Sequence, residues 1–397
     1  VFDLREKLSE RERFAVETNY YLVATGELEK AAQTFELWKE TYPGDAVPYA
    51  NLGLIFFTLG SYDKAAEEAR EAISLRRNDG ALYASLGAVY QNLNRLGEAE
   101  AVYRQAEERK LESEGLLANR YLLAFLKGDP AQMALLAATA MGRPGTEDVL
   151  LAAQADTEAW YGRLKNAREL TRRAMDSALQ DDGKETAATY QAVEALREVE
   201  SGNRERARAD VEAALKLAPD RDVQAMAALA LALTGDTAGA EKLTAELDKT
   251  FLVDTLVQRY WLPTIRAAVA MQREDPNRAV ELLQATSAIE LGTPTTPGVT
   301  MCPVYLRGEA YLLLHNGNSA AAEFQKFIDH RGLVANSSWG SLARLGLAHA
   351  YALDVAKDQA TRDKARTAYQ DFFRLWSDAD PDIPILVQAK MEYAKLR

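Results

Sequence analysis

The stretch from Ala46 to Asp79, AVPYANLGLIFFTLGSYDKAAEEAREAISLRRND, is 34 residues long, and the chain then starts again as GALYASLGAVYQNLNRLGEAEAVYRQAEERKLES over Gly80–Ser113. Leu52 recurs as Leu86, Gly53 as Gly87, Ala65 as Ala99 and Ala72 as Ala106. Small and large residues at fixed offsets over such a period mark stacked helical hairpins, because one hairpin alone cannot bury its apolar face. This repeat limits the fold more than any other feature of the chain.

The register can be followed on one landmark, the turn inside each hairpin, with an alanine five residues later. The pairs are Gly26 with Ala31, Gly60 with Ala65, Asn94 with Ala99, Gly128 with Met133, Gly162 with Ala167, Gly202 with Ala207 and Gly235 with Ala240. Gly or Asn at the turn tolerates a left-handed backbone. The alanine faces the partner helix, where a larger side chain would push the pair apart. Asn19, Gly53, Gly87, Ala155, Ala195 and Ala228, seven residues before the turn, are expected on the other side of that contact. Tyr121 and Met133 make the fourth hairpin bulky, with a bend expected there. Six extra residues before Gly202 are expected as a longer loop near Gln180–Glu185.

Beyond Gly235 the copies loosen. Glu274 and Ala279 take the landmark places, with Asp275-Pro276 in the turn. Gly292–Pro303, with three prolines, reads as a loop and a soft seam. Gly317 with Ala322 marks another hairpin over Tyr305–His330. Leu342–Trp376 is the last, with Ala365 in the alanine slot and a polar insertion near Lys357–Asp363. Ser9 and Glu12 form a capping box at the start. PILVQAKMEYAKL reads as a final helix covering the open end of the stack. The expectation is an all-α superhelical solenoid of about ten hairpins. It is read as one solenoid over residues 1–397, with regular repeats over about 12–254, irregular ones over about 260–378 and a capping helix over about 383–397.

Composition narrows the function. A formal net charge of −12 disfavours nucleic acid or an anionic membrane as partner of this region. The single cysteine, Cys302, excludes a disulfide framework. The longest apolar stretch, Val223–Leu233, is too short to span a bilayer. The chain opens on Val1, which reads as a piece of something longer. His315, His330 and His349 form no ligand motif, and Cys302 has no base beside it in sequence. Asp329-His330-Arg331-Gly332 resembles a kinase catalytic loop only in its first letters, because Gly332 stands where the catalytic Asp is required. No cofactor, metal or catalytic residue is expected.

Binding is the remaining class. The first helix of each hairpin is expected to line a concave groove, with Tyr20, Phe57, Gln91, Asn92, Asp156, Trp160 and Trp261 on its inner stripe. Exposed aromatic side chains anchor peptide partners; the alternative is that these residues pack between hairpins. Asn51 and Asn92 lack the neighbouring lysines that a grip on a free C-terminal carboxylate would need. Such a tail is therefore disfavoured.

The hairpins resemble the tetratricopeptide repeat, most closely in the second and third copies. Over nearly the whole chain, YPGDAVPYANLG, GTEDVLLAAQADTEAWYGRLKNAREL, RYWLPTIRAAVA, AAEFQKFIDHRG and DADPDIPILVQAKMEYAKL resemble the C-terminal repeat region of large bacterial serine/threonine protein kinases. Similar repeats follow winged-helix DNA-binding domains in some bacterial regulators. The resemblance implies a non-catalytic interaction or sensing module, with a protein or peptide in the groove, regulating a kinase domain placed before it. It implies a location in the bacterial cytoplasm, or outside it if a membrane span precedes the repeats. The alternative is a structural or self-association scaffold, such as a homodimer.

Overall fold

The computed structural model describes residues 2–294, 299–354 and 359–396. Among the described residues, after a short 3-10 turn (Phe2–Lys7), ten antiparallel helix pairs follow in chain order. They are α1 (Glu10–Asn19) with α2 (Leu28–Thr41), α3 (Ala46–Thr58) with α4 (Tyr62–Leu75), α5 (Gly80–Asn92) with α6 (Leu96–Glu108), α7 (Glu114–Lys127) with α8 (Pro130–Ala140), and α9 (Glu147–Trp160) with α10 (Leu164–Gln180). Then come α11 (Lys184–Glu200) with α12 (Arg204–Leu217), α13 (Arg221–Thr234) with α14 (Thr237–Thr250), α15 (Leu262–Gln272) with α16 (Pro276–Gln284), and α17 (Cys302–Leu313) with α18 (Gly317–Asp329). A one-turn helix, α19 (Arg331–Val334), precedes the tenth pair, α20 (Ser338–Ala352) with α21 (Gln359–Leu375); α22 (Pro384–Ala394) ends the stack. The fold is all-α, a solenoid of tetratricopeptide-type hairpins.

The landmark register has a physical basis. Gly26, Gly60, Gly128, Gly162, Gly202 and Gly235 all hold positive φ, as do Asn94 and Glu274. Ala31, Ala65, Ala99, Ala167, Ala207, Ala240, Ala279 and Ala365 have no exposed surface. The opposite wall is as tight: a Cβ on Gly87 would collide with the Tyr103 ring. Helix starts are set by side chains that accept from otherwise unpaired backbone N–H groups, as Asp45, Asp79, Ser113, Asp129, Asp220 and Asp236 do. Ser9 and Glu12 form the expected capping box.

Several expectations need correction. α1 runs on into a π-helical turn, Tyr20–Thr25. Its extra residue shifts the phase, so Thr18 is buried against α2 while Asn19 is exposed. The six extra residues before Gly202 are helix: α10 and α11 each have 17 residues, against 14 in α4 and α12, and only Asp181–Gly183 link them. In the ninth hairpin His315, at φ 53°, takes the left-handed position, and Ala320 fills the slot five residues later with no exposure. Gly317 is the first residue of α18, and Ala322 faces solvent. Of the expected polar insertion, residues 357 and 358 lie outside the described residues, and from Gln359 the chain is already helical.

The stack curls round on itself. Hairpins eight to ten form a second course, whose connecting segments meet the turns of the first course. Thr255 N–H donates to the Gly26 carbonyl at 2.9 Å, and Thr293 N–H to Thr58 O at 3.1 Å. Asp380 N–H reaches Gly162 O at 3.0 Å, and Ile385 N–H reaches Ser201 O at 3.3 Å. The second course also caps first-course helices that make no side-chain cap of their own. The Thr255 hydroxyl accepts from Leu28 N at the start of α2, and Asp380 Oδ2 from Lys165 N at the start of α10. Where the courses meet, Ala225–Ala230 of α13 and Tyr260–Trp261 before α15 have no exposed surface.

Candidate binding groove

The concave face is open along the first helices of hairpins two to four. There α3, α5 and α7 wall a groove of about 1390 Å³. Its sides are short and apolar: Ala50, Leu54 and Phe57 on α3, Ala81, Ser85 and Ala88 on α5, and Leu117 on α7. Small residues recur there because the helices pack closely, and the same smallness leaves room for an occupant. Leu54 is 54% exposed, although its neighbours Leu52 and Ile55 are buried. One end is charged, with Glu107, Lys110, Glu114, Arg120 and Arg143 on its rim, and Arg120 pairs with Glu107 at 3.3 Å. At the other end Thr293 of the second course reaches the lining.

The carboxamides near this groove are engaged within the protein. Asn51 Nδ2 donates to Val47 O at 2.9 Å, and Asn119 Nδ2 to Ala84 O at 3.1 Å. Gln91 donates to Asn119 O at 3.0 Å and accepts from the Tyr103 hydroxyl at 2.6 Å. Burial pushes the Tyr103 phenol well above its usual range, so it stays a donor. Charge of both signs stands on the rim, and the floor is largely apolar.

Of the seven residues expected on the inner stripe, Phe57 lines the groove, while Tyr20 and Asn92 are half-exposed outside its lining. Tyr20 stacks on Phe2 with centroids 3.8 Å apart. Gln91, Asp156, Trp160 and Trp261 are buried, and Trp261 is wholly so. Gln91 and Trp160 lie beneath Gly332 and Gly340 of the second course, whereas Trp261 belongs to the second course itself and is buried where it meets the first. Trp160 packs edge-on against Phe125, beneath the Arg344 guanidinium at 5.2 Å. Asp156 pairs with Arg197 at 3.2 Å, and Arg197 also pairs with Glu194 at 2.5 Å. Burial raises the Asp156 carboxyl to about 6, against the pull of Arg197. The linear sequence does not show which part of the inner face a later course covers. Leu54, Ala81 and Ser85 carry no aromatic or charged signal, and for that reason sequence reasoning missed them.

The chemistry-bearing residues are not brought together. Cys302 is buried at the start of α17, its N–H donating to the Tyr260 hydroxyl at 3.2 Å, and burial pushes the thiol up. His349 bonds Glu392 of α22 at 2.8 Å. Burial opposes ionisation of Glu392, yet the bonds from His349 and its other partners hold it at about 2. Among the described residues no group of three or more His, Cys, Asp or Glu could hold a metal ion. No helix of the described residues is long and apolar enough to cross a membrane.

Residues 46–79 and 81–112, the walls of this groove on α3 and α5 with their partner helices, match the tetratricopeptide repeat. No curated protein sequence matches the chain. Among solved structures it is similar to yeast Tom70, at 13% identity over 97% of this chain and 95% of that one, with a TM-score of 0.38. It is also similar to a tetratricopeptide repeat protein from Parabacteroides merdae, at 15% identity over 80% of this chain and 99% of that one, with a TM-score of 0.33.

Proposed function

We propose that this chain is a non-catalytic protein-interaction scaffold that takes a peptide segment of a partner in the groove on α3, α5 and α7. The observation that carries the reading is that groove: it is long, apolar and walled by small side chains, with Leu54 left in solvent. Its carboxamides are already bonded to backbone carbonyls, which favours an internal segment with apolar side chains over a free C-terminal carboxylate. The finer reading, regulation of an attached bacterial serine/threonine kinase, rests on the sequence resemblance, and the winged-helix alternative has the same basis. Within the scaffold reading the whole chain acts as one unit, which the contacts between the two courses support.

Capture of partners from a lysate of the source organism by the full chain tests the groove, with Leu54→Asp and Ser85→Arg as controls. The groove version expects partners whose capture is lost in both variants while the melting temperature is unchanged. Capture that survives both substitutions rules the groove out. Self-association has its own observation, the exposed pair Val387 and Met391 one turn apart on α22. Sedimentation of the full chain against Met391→Lys decides that alternative.

A further inference from the structure

The segment joining hairpins nine and ten lies in the interior. From Gly332 to Ala343 every residue is buried, whereas Arg76–Asn78, which join hairpins two and three, are exposed. This segment runs along the first-course helices as a bound peptide would. Asn94 Nδ2 donates to Asp329 O at 2.7 Å, and Gly332 N–H donates to Asn94 Oδ1 at 2.6 Å. Arg331 reaches the Leu126 carbonyl at the end of α7. Asn336 Nδ2 donates to Ala153 O at 2.8 Å and to the Thr157 hydroxyl at 3.0 Å, both on α9. Gly340 lies against the Trp160 ring with no room for a side chain.

We propose that residues 329–340 are an internal pseudo-ligand that closes a second interaction surface, formed by α5, α7 and α9. The surface would take a partner segment of the same chemistry: a basic residue, then glycine, two aliphatic side chains and a carboxamide, as in Arg331, Gly332, Leu333-Val334 and Asn336. Two further features mark this segment as releasable. Ala335 is held at φ 45°, ψ −118°, a left-handed backbone that an L side chain rarely adopts. Within the segment, Ser338 bonds Glu200 Oε2, and beside it Glu200 Oε1 and Arg197 Nε stay buried without a hydrogen-bond partner. The proposal is independent of the groove reading, since none of these contact residues lines the groove on α3, α5 and α7.

Hydrogen exchange on the full chain tests it. In the native protein the amides of 332–340 are expected to open more readily than those of α13, which lies in the core. Asn336→Ala should speed their exchange, and Ala335→Gly, which relieves the backbone, should slow it by about tenfold; α13 should not respond to either. A labelled synthetic peptide of residues 329–340 should then bind Asn336→Ala at least about tenfold more tightly than the parent chain, in which the surface is already filled. Exchange of 332–340 that follows α13 in all three chains makes the segment ordinary core and overturns the proposal. A dimer appearing in Asn336→Ala overturns it too, because the occupant would then be the segment of a second copy.

Discussion

Two connecting segments occupy equivalent places in the repeat and meet opposite surroundings. Tyr42–Asp45 joins hairpins one and two at the surface, with Pro43 and Gly44 exposed and no heavy atom near Gly44 where a side chain would point. The segment His330–Ser337 joins hairpins nine and ten, and from Gly332 onward it is buried against α5, α7 and α9. The helices on either side of both follow the same alanine register. Hairpin geometry is therefore set within each repeat, while the fate of the concave face is set by what the connections carry. Tyr42, Pro43, Gly44 and Asp45 make a short connection that stays at the surface. Gly332, Leu333, Val334 and Asn336 make one that can lie along neighbouring helices.

Equivalent glycines probe this contrast most sharply. A Cβ on Gly332 would overlap the Gln91 carbonyl, so Gly332→Ala should cost about 1–3 kcal/mol or more in a denaturant titration. Ala65→Leu and Ala99→Leu overfill fully buried slots in the regular hairpins and should cost about 1–3 kcal/mol each. Ala322→Leu, on an exposed position of the ninth hairpin, should stay within about 0.5 kcal/mol and so confirm the register on His315 and Ala320. Asn94→Gly keeps the left-handed turn and loses both bonds to the buried connection. It should cost about 1–2 kcal/mol, an effect without counterpart at the glycine turns.

Acidity separates the two regions as well. Burial raises the Glu200 carboxyl, which accepts from Ser338 and faces Arg197 and Asp156, and it raises Asp156 to about 6. A carboxyl whose folded value is raised withdraws stability as pH climbs from its unfolded value, near 4, to its folded one. The melting temperature should therefore fall from about pH 4 towards neutrality, and Glu200→Gln should flatten that slope while keeping an acceptor for Ser338. The smallest effect belongs to the open connection: Gly44→Ala should change stability by no more than about 0.5 kcal/mol.

The fold was legible because the constraints that build it are local. A left-handed turn needs Gly or Asn, and a close helix pair needs Ala, so Gly60 with Ala65 and Asn94 with Ala99 announce themselves. Where several residues could meet the constraint, reading slipped: Gly317 looked like the turn, yet His315 takes it. Helix length was equally ambiguous before Gly202, because Gln180 and Glu185 suit a loop or a helix end. The site was less legible. Trp160 was expected on the groove face but is covered by Gly340, far along the chain, and Trp261 is wholly buried where the two courses meet. No local pattern near either tryptophan carries that information. Phe57 lines the open groove, which among the described residues of the second course Thr293 reaches.

The bonds between courses join residues such as Gly26 with Thr255 and Asn94 with Gly332, more than two hundred positions apart in sequence. Repeat arrays whose units touch only their neighbours fold and fray one unit at a time. Here a closure of long sequence separation must form before the first hairpins are fully capped, which slows folding and couples the two ends of the chain. Removal of α22, for instance, would be felt at Gly202 in the middle of the array.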